Sequence, residues 1–177
     1  MSKEHAAVTT PQASTRASRR AGLLGDRIEE GAALLAKFAE GLSAADWATP
    51  SSPTDKRPVG VIVHHVATMY PIEVDAARAI ASGKALMDIT WAAVADINAN
   101  HAKDQAAVTK AAALDLLRKN SREAAAAIRT FTDAELDTAA AFGLSFGAPV
   151  TAQFVIEDHP VRHSWHHLAK IKKALGK

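Results

Sequence analysis

The apolar residues of this chain recur every three or four positions over most of its length, an interval that suits α-helices and does not suit strands. Between Gly22 and about Leu42, the set Leu24, Ile28, Leu34, Leu35, Phe38 and Leu42 repeats at this spacing with Glu29, Glu30 and Lys37 between. That pattern predicts a first amphipathic helix. The same period predicts a second helix from Pro58 to about Ser82, a short one from roughly Thr90 to Lys103, and a third long one from Ala106 to Thr130. The last helix is expected from about Val150 to Leu175. Strand-type alternation is nearly absent, since "GVIV" lies inside the period of the second long helix.

Punctuation residues agree with these limits. Pro58 suits a first turn, where its missing N–H is no loss, and Gly83 suits the exit. Pro71 falls inside the second long helix and should kink it or remove one hydrogen bond. "TPSSPTDKRP" holds three prolines and reads as a loop, as does the glycine-punctuated "FGLSFGAP". Thr132 followed by Glu135 has the spacing of a capping box. The chain contains 40 alanines, which let helices approach closely. The expected architecture is all-α, a four-helix bundle with a short extra helix. Residues 1–20 offer almost nothing to bury and read as a flexible tail, leaving 21–177 as one domain.

Charge narrows the function. The chain carries +2 overall, but Lys3, Arg16, Arg19 and Arg20 against Glu4 put +3 on the first 20 residues. The remaining 17 basic and 18 acidic side chains leave the domain at −1, so the footprint of a nucleic-acid-binding surface is missing. No run of about 18 apolar residues suggests a membrane span. The start turns acidic too soon for a secretory signal, and a cytoplasmic protein is expected. There is no cysteine, so a metal would have to be held by His, Asp or Glu. "FGLSFG" lacks the lysine of a phosphate loop, and no Ser-His-Asp arrangement can be argued from spacing.

Six of the eight histidines gather in two places: His64 and His65 in the second long helix, and His159, His163, His166 and His167 in the last. His163 and His167 are four apart, which on a helix means about 40° of rotation and ~6 Å of rise, so both rings can reach one ion. With Ile62, Val66, Met69, Ala76 and Ile80 as a buried stripe, His65 falls about 60° from its centre and His64 about 160°, toward water. With Val161, Trp165, Leu168 and Leu175 as the stripe of the last helix, His167 lies about 100° and His163 about 140° from its centre, which predicts a solvent-reachable cleft at the bundle edge. Three imidazoles from two helices would leave positions open for water or substrate, as in catalytic sites. A solvated, His-rich face is the competing reading.

Other positions carry two readings each. His159 before Pro160 reads as a kink residue ahead of a fourth ligand. Glu157 and Asp158 read as acceptors that orient a ligand ring, or as solvated acids. Phe154 and Trp165 read as core. Arg162 can bind a substrate carboxylate or stand as a surface charge. Asn98 and His101, three apart, share a helical face and can point toward the cleft, or simply lie on a surface helix.

Four stretches, "RPVGVIVHHVATMY", "INANHAKDQAAVTKAAALDLLRKN", "FTDAELD" and "PVTAQFVIEDHPVRHSWHHLAKIKKALG", resemble the DinB-like family of four-helix metalloproteins, which includes thiol-dependent transferases and isomerases. The resemblance spans about Ala21 to the end. It implies an up-down-down-up bundle with a long crossover, members that are often homodimers, and one divalent ion held by His65, His163 and His167. Family members frequently carry Gln where Lys170 stands. The reading that follows is a mononuclear zinc- or nickel-type enzyme acting on a small-molecule substrate, as a hydrolase or as a thiol-dependent transferase or isomerase. With no cysteine in the chain, the thiol would be a small cosubstrate. His101 is the expected general base. The alternative is a non-catalytic, stress-associated protein that binds a metal or a partner.

Overall fold

The computed structural model describes residues 18–177, so the expected tail lies almost wholly outside the described residues. Four long rods form the bundle: α1 (Arg19–Glu40), α3 (Val59–Ala81), α5 (Lys110–Ile128) and a final rod built from α7 (Ala152–Ile156) and α8 (Arg162–Leu175). Short helices α2 (Ala44–Ala48), α4 (Trp91–Asp104) and α6 (Asp133–Asp137) lie between them. α5 packs against both α1 and α3, α8 against α1, and α7 against α3. Thus α1 and α3, successive long rods in the sequence, sit diagonally across the bundle and are joined by the proline-rich loop. No helix among the described residues is long and apolar enough to cross a membrane.

The first helix begins earlier than its apolar period suggests. Ser18 caps α1 by accepting from the N–H of Arg20, and Arg20 forms ion pairs with Asp133 and Asp137 of α6. Small residues line the inner face of α1: Ala21, Gly25, Ala32, Ala36 and Ala39 are buried, whereas Leu34 is exposed. α5 starts at Lys110, later than the expected Ala106, because the Thr109 hydroxyl caps it through the N–H of Ala112. Thr132 and Glu135 form the capping box of α6.

Strands do occur, in a place where the sequence shows no alternation. β1 (Ala139–Ala141) and β2 (Pro149–Thr151) make a small antiparallel hairpin with Ala140 opposite Val150. Its turn places Phe146 at φ 56° and Gly147 at φ 82°. Leu86, between α3 and α4, donates to Ala141 O and accepts from Gly143 N, each at 2.9 Å. This bracket fixes the α3–α4 connection over one end of the bundle.

Two glycines allow tryptophans to lie flat on helices. A Cβ on Gly60 of α3 would fall 2.2 Å from Trp47 Nε1, and one on Gly31 of α1 would fall 2.6 Å from Trp165 Nε1. The second contact explains why Trp165, expected in the core, is instead 39% exposed: it covers α1 from outside. Phe154, also expected inside, is exposed as well. Gly60→Ala should displace the Trp47 indole and destabilise the fold by at least about 1 kcal/mol, the usual overpacking cost, with a red shift of tryptophan emission; denaturant unfolding followed by fluorescence checks it.

Candidate metal centre

The last rod is not a continuous α-helix. Residues Glu157–Val161 form a π turn that contains Pro160, which has no N–H to keep the i to i−4 ladder. His159 therefore sits at a kink, its ring edge-on to Phe142. Beyond the turn, the buried residues are Ser164, Leu168 and Ile171. This stripe lies about 40° closer to the histidines than one drawn through Trp165, at ~100° per residue. As a result His163 and His167 are more deeply set than expected, with the His163 side chain only 14% exposed.

On α3 the buried residues Val66, Tyr70, Glu73, Ala77 and Ile80 follow spacings of four and three, and His65 stands at the edge of this row, 5% exposed. Tyr70 reaches across to α8, its hydroxyl 2.7 Å from Ser164 Oγ, and so ties together the two helices that carry the histidines. The rings of His65, His163 and His167 lie with centroids 5.0–5.6 Å apart. One nitrogen from each falls within 4.8 Å of the other two. His65 Nε2 and His163 Nε2 are 3.2 Å apart, close to the roughly 3.3 Å expected for two nitrogens bound to one tetrahedral zinc ion.

The other nitrogen of His163 has a specific partner. Nδ1–H donates to Glu73 Oε1 at 2.6 Å, so Nε2 is left with its lone pair facing the shared point. This is the carboxylate that orients a ligand imidazole in metal sites. The sequence offers Glu157 and Asp158 for this role. Instead, Asp158 pairs with Arg162 at 3.0 Å, and Glu157 accepts from Gln153. The missed signal is Glu73 itself, the one charged residue in the four-three row of α3.

Burial pushes His65 down to about 2, helped by the neighbouring His163 ring and the positive charge of Arg57. Burial likewise holds His167 far below the usual imidazole range, with His163 and His65 adding to the effect. Both rings are therefore in the neutral, metal-binding form. The donor set fits a divalent ion of the nitrogen-preferring kind. A further sign is that, among the described residues, the buried side-chain polar atoms without a partner are Arg57 Nη1, His65 Nδ1, Glu73 Oε2, Asn98 Oδ1 and His101 Nδ1. Four belong to residues lining one cavity and the fifth to a ring beside His65. Unsatisfied groups in a native fold ask for an explanation, and concentration at one place points to a ligand site.

That cavity has a volume of about 520 Å³ and takes His65, His163 and His167 as part of its wall. Apolar side chains from α3, α4 and the hairpin region, among them Met69, Ile89, Trp91, Val94, Phe142 and Leu144, form much of the remainder. His64 does not face water as its helical position suggested, because α4 crosses α3 there. His64 is half-buried, with Nδ1 at 2.9 Å from His101 Nε2. His101 contacts the His65 ring at 5.5 Å between centroids, while Asn98 lines the cavity and His101 does not. Burial lowers both His64 and His101. His166 is half-buried against His167 and also lines the cavity.

Comparison with known proteins bears on the fold and the family. None of the curated proteins matches the chain. Among solved structures, YfiT from Bacillus subtilis, described as a probable metal-dependent hydrolase with an unusual four-helix bundle topology, superposes with a TM-score of 0.70. The match has 20% sequence identity and covers 94% of this chain and 91% of YfiT. Residues 27–171 match the sequence profile of the DinB superfamily. With that match over most of its length and with the bundle described above, the chain belongs to the DinB superfamily.

Proposed function

We propose that this protein is a metal-dependent enzyme in which His65, His163 and His167 hold one divalent ion, zinc or nickel, at the wall of the apolar cavity. The observation that carries the reading is the convergence of three imidazoles from two helices on one point that opens onto a space of about 520 Å³. A purely structural site would be expected to be closed by a fourth protein ligand. When bound, such an ion supplies Lewis-acid polarisation and makes water or a thiol more acidic. The description of YfiT favours hydrolysis of a small molecule. A thiol-dependent transfer or isomerisation is the second chemistry to test, with a small thiol as cosubstrate because the chain has no cysteine.

The protein's own residues divide the work. Glu73 fixes the tautomer and direction of His163 through the 2.6 Å hydrogen bond. Phe142, Trp91 and Val94 exclude water and bind the apolar part of a substrate. His101, expected as the general base, does not line the cavity and is proposed instead to position the His65 ring, 5.5 Å away between centroids, with its own Nε2 at 2.9 Å from His64 Nδ1. Elemental analysis of purified protein, followed by screening of hydrolytic and thiol-transfer substrates with and without chelator, tests the reading. The expected outcome is about one ion per chain and turnover that disappears on chelation and returns with the ion. Protein that neither contains nor takes up a divalent ion would refute it, and ligand binding that ignores the ion would favour the non-catalytic alternative.

A further inference from the structure

Arg57 was not singled out by sequence reasoning, since it ends a loop and belongs to no periodic face. The loop nevertheless holds it rigidly. Ser51 N donates to Arg57 O at 2.9 Å, and an isolated bridge pairs Pro50 with Pro58. The side chain is pinned as well. Asp55 Oδ1 accepts from Arg57 Nε at 2.9 Å and Asp55 Oδ2 accepts from Nη2 at 2.6 Å. This fork uses two of the three guanidinium nitrogens and leaves Nη1, which is buried and has no acceptor. A buried N–H of a charged group without a partner is costly, and the rigid fork prevents the side chain from swinging away to satisfy it.

Arg57 lines the same cavity as His65, His163 and His167. The carboxyl groups already on the cavity wall do not serve it: Glu73 accepts from His163, Asp158 pairs with Arg162, and Asp88 is exposed on the α3–α4 connection. Arg162, the cation that the sequence offers for a substrate carboxylate, is 58% exposed and already paired.

We infer that Arg57 is a specificity-determining residue that selects a small substrate bearing a carboxylate on an apolar body, donating from Nη1 to one carboxylate oxygen beside the three imidazoles. This rests on the reading of the cavity as a substrate site. A carboxylate suits this single buried N–H better than a phosphate, because a phosphate dianion calls for several convergent donors, and of the other cations on the wall Arg162 is paired with Asp158 and Lys170 is exposed.

The test measures binding of phenylacetate and of its neutral isostere phenylacetamide by calorimetry, to zinc-loaded and to metal-free full-length protein. In both forms phenylacetate should bind at least about tenfold more tightly than the amide, the usual scale for a hydrogen bond to a charged group. Arg57→Gln should remove that preference and leave phenylacetamide binding unchanged within about twofold. Equal binding of the two probes to metal-free wild type overturns the inference, as does a preference that survives Arg57→Gln. Should the variant fail to fold, equal binding of the two probes to metal-free wild type still overturns the inference, and Lys170→Gln, which removes the exposed cation of the same wall, should keep the preference for phenylacetate. If zinc does not bind while the metal-free preference holds, the metal reading falls and the assignment to Arg57 stands.

Discussion

Replacing His163 by alanine is expected to lower divalent-ion affinity by at least about tenfold, and more if the site cannot recruit water in place of the ring. The change removes a donor whose direction is already set by Glu73 and whose Nε2 is 3.2 Å from that of His65. It also strands the Glu73 carboxyl group, which is 6% exposed and has no other partner. The neighbouring pair on α3 supplies the internal control. His65→Ala should lose affinity comparably, because His65 meets both His163 and His167. His64→Ala should leave affinity within about threefold, since His64 touches His101 and not the shared point. Competitive titration with a chromophoric chelator measures all three. Loss on His64→Ala with retention on His65→Ala would exclude the proposed ligand set.

Glu73 should matter almost as much as a ligand without being one. Removing a carboxylate that orients a metal-bound histidine typically lowers affinity 10- to 100-fold. Glu73→Ala is expected to fall in that range, and Glu73→Gln nearer its lower end, because the amide oxygen can still accept from His163 Nδ1. The stability of the metal-free protein should not follow the same order. Glu73 Oε2 is buried without a partner, so replacing the acid by the neutral Gln removes a poorly compensated buried group and should leave the melting temperature of the metal-free form unchanged or higher. A weakened metal site in an undamaged fold is the signature of a positioning residue. If Glu73→Gln lowers the metal-free melting temperature and leaves metal affinity intact, the role is structural and the argument for orientation fails.

The parts of the molecule that were legible from the residues are those governed by local periodicity. The burial of Leu24, Ile28 and Leu35 on α1, the Thr132–Glu135 capping box, the choice of His65 over His64 as the inward ring and the pairing of His163 with His167 all follow from rotation of about 100° per residue. Errors arose where something outside the helix intervened. Trp165 looked like a core residue and rotated the expected stripe of the last helix, because its packing over Gly31 of α1 cannot be seen from α8 alone. His64 looked wet because nothing in α3 reveals that α4 lies over it. The β1–β2 hairpin was missed because strands of three residues, each of whose pairs involves an alanine, carry no alternation to detect.

By itself, the order of residues settled that the chain is helical, where its long rods run, and which ring nitrogens each rod could offer, since helix phase and capping depend on neighbours three or four positions away. Only the tertiary structure could bring Glu73 to His163, set α4 over His64, and place the fork-held guanidinium of Arg57 on the wall shared with the three imidazoles. Those contacts join residues 37 to 90 or more positions apart, or depend on how a loop returns to the bundle. They follow from which helices became neighbours, a property of packing that no single helix encodes.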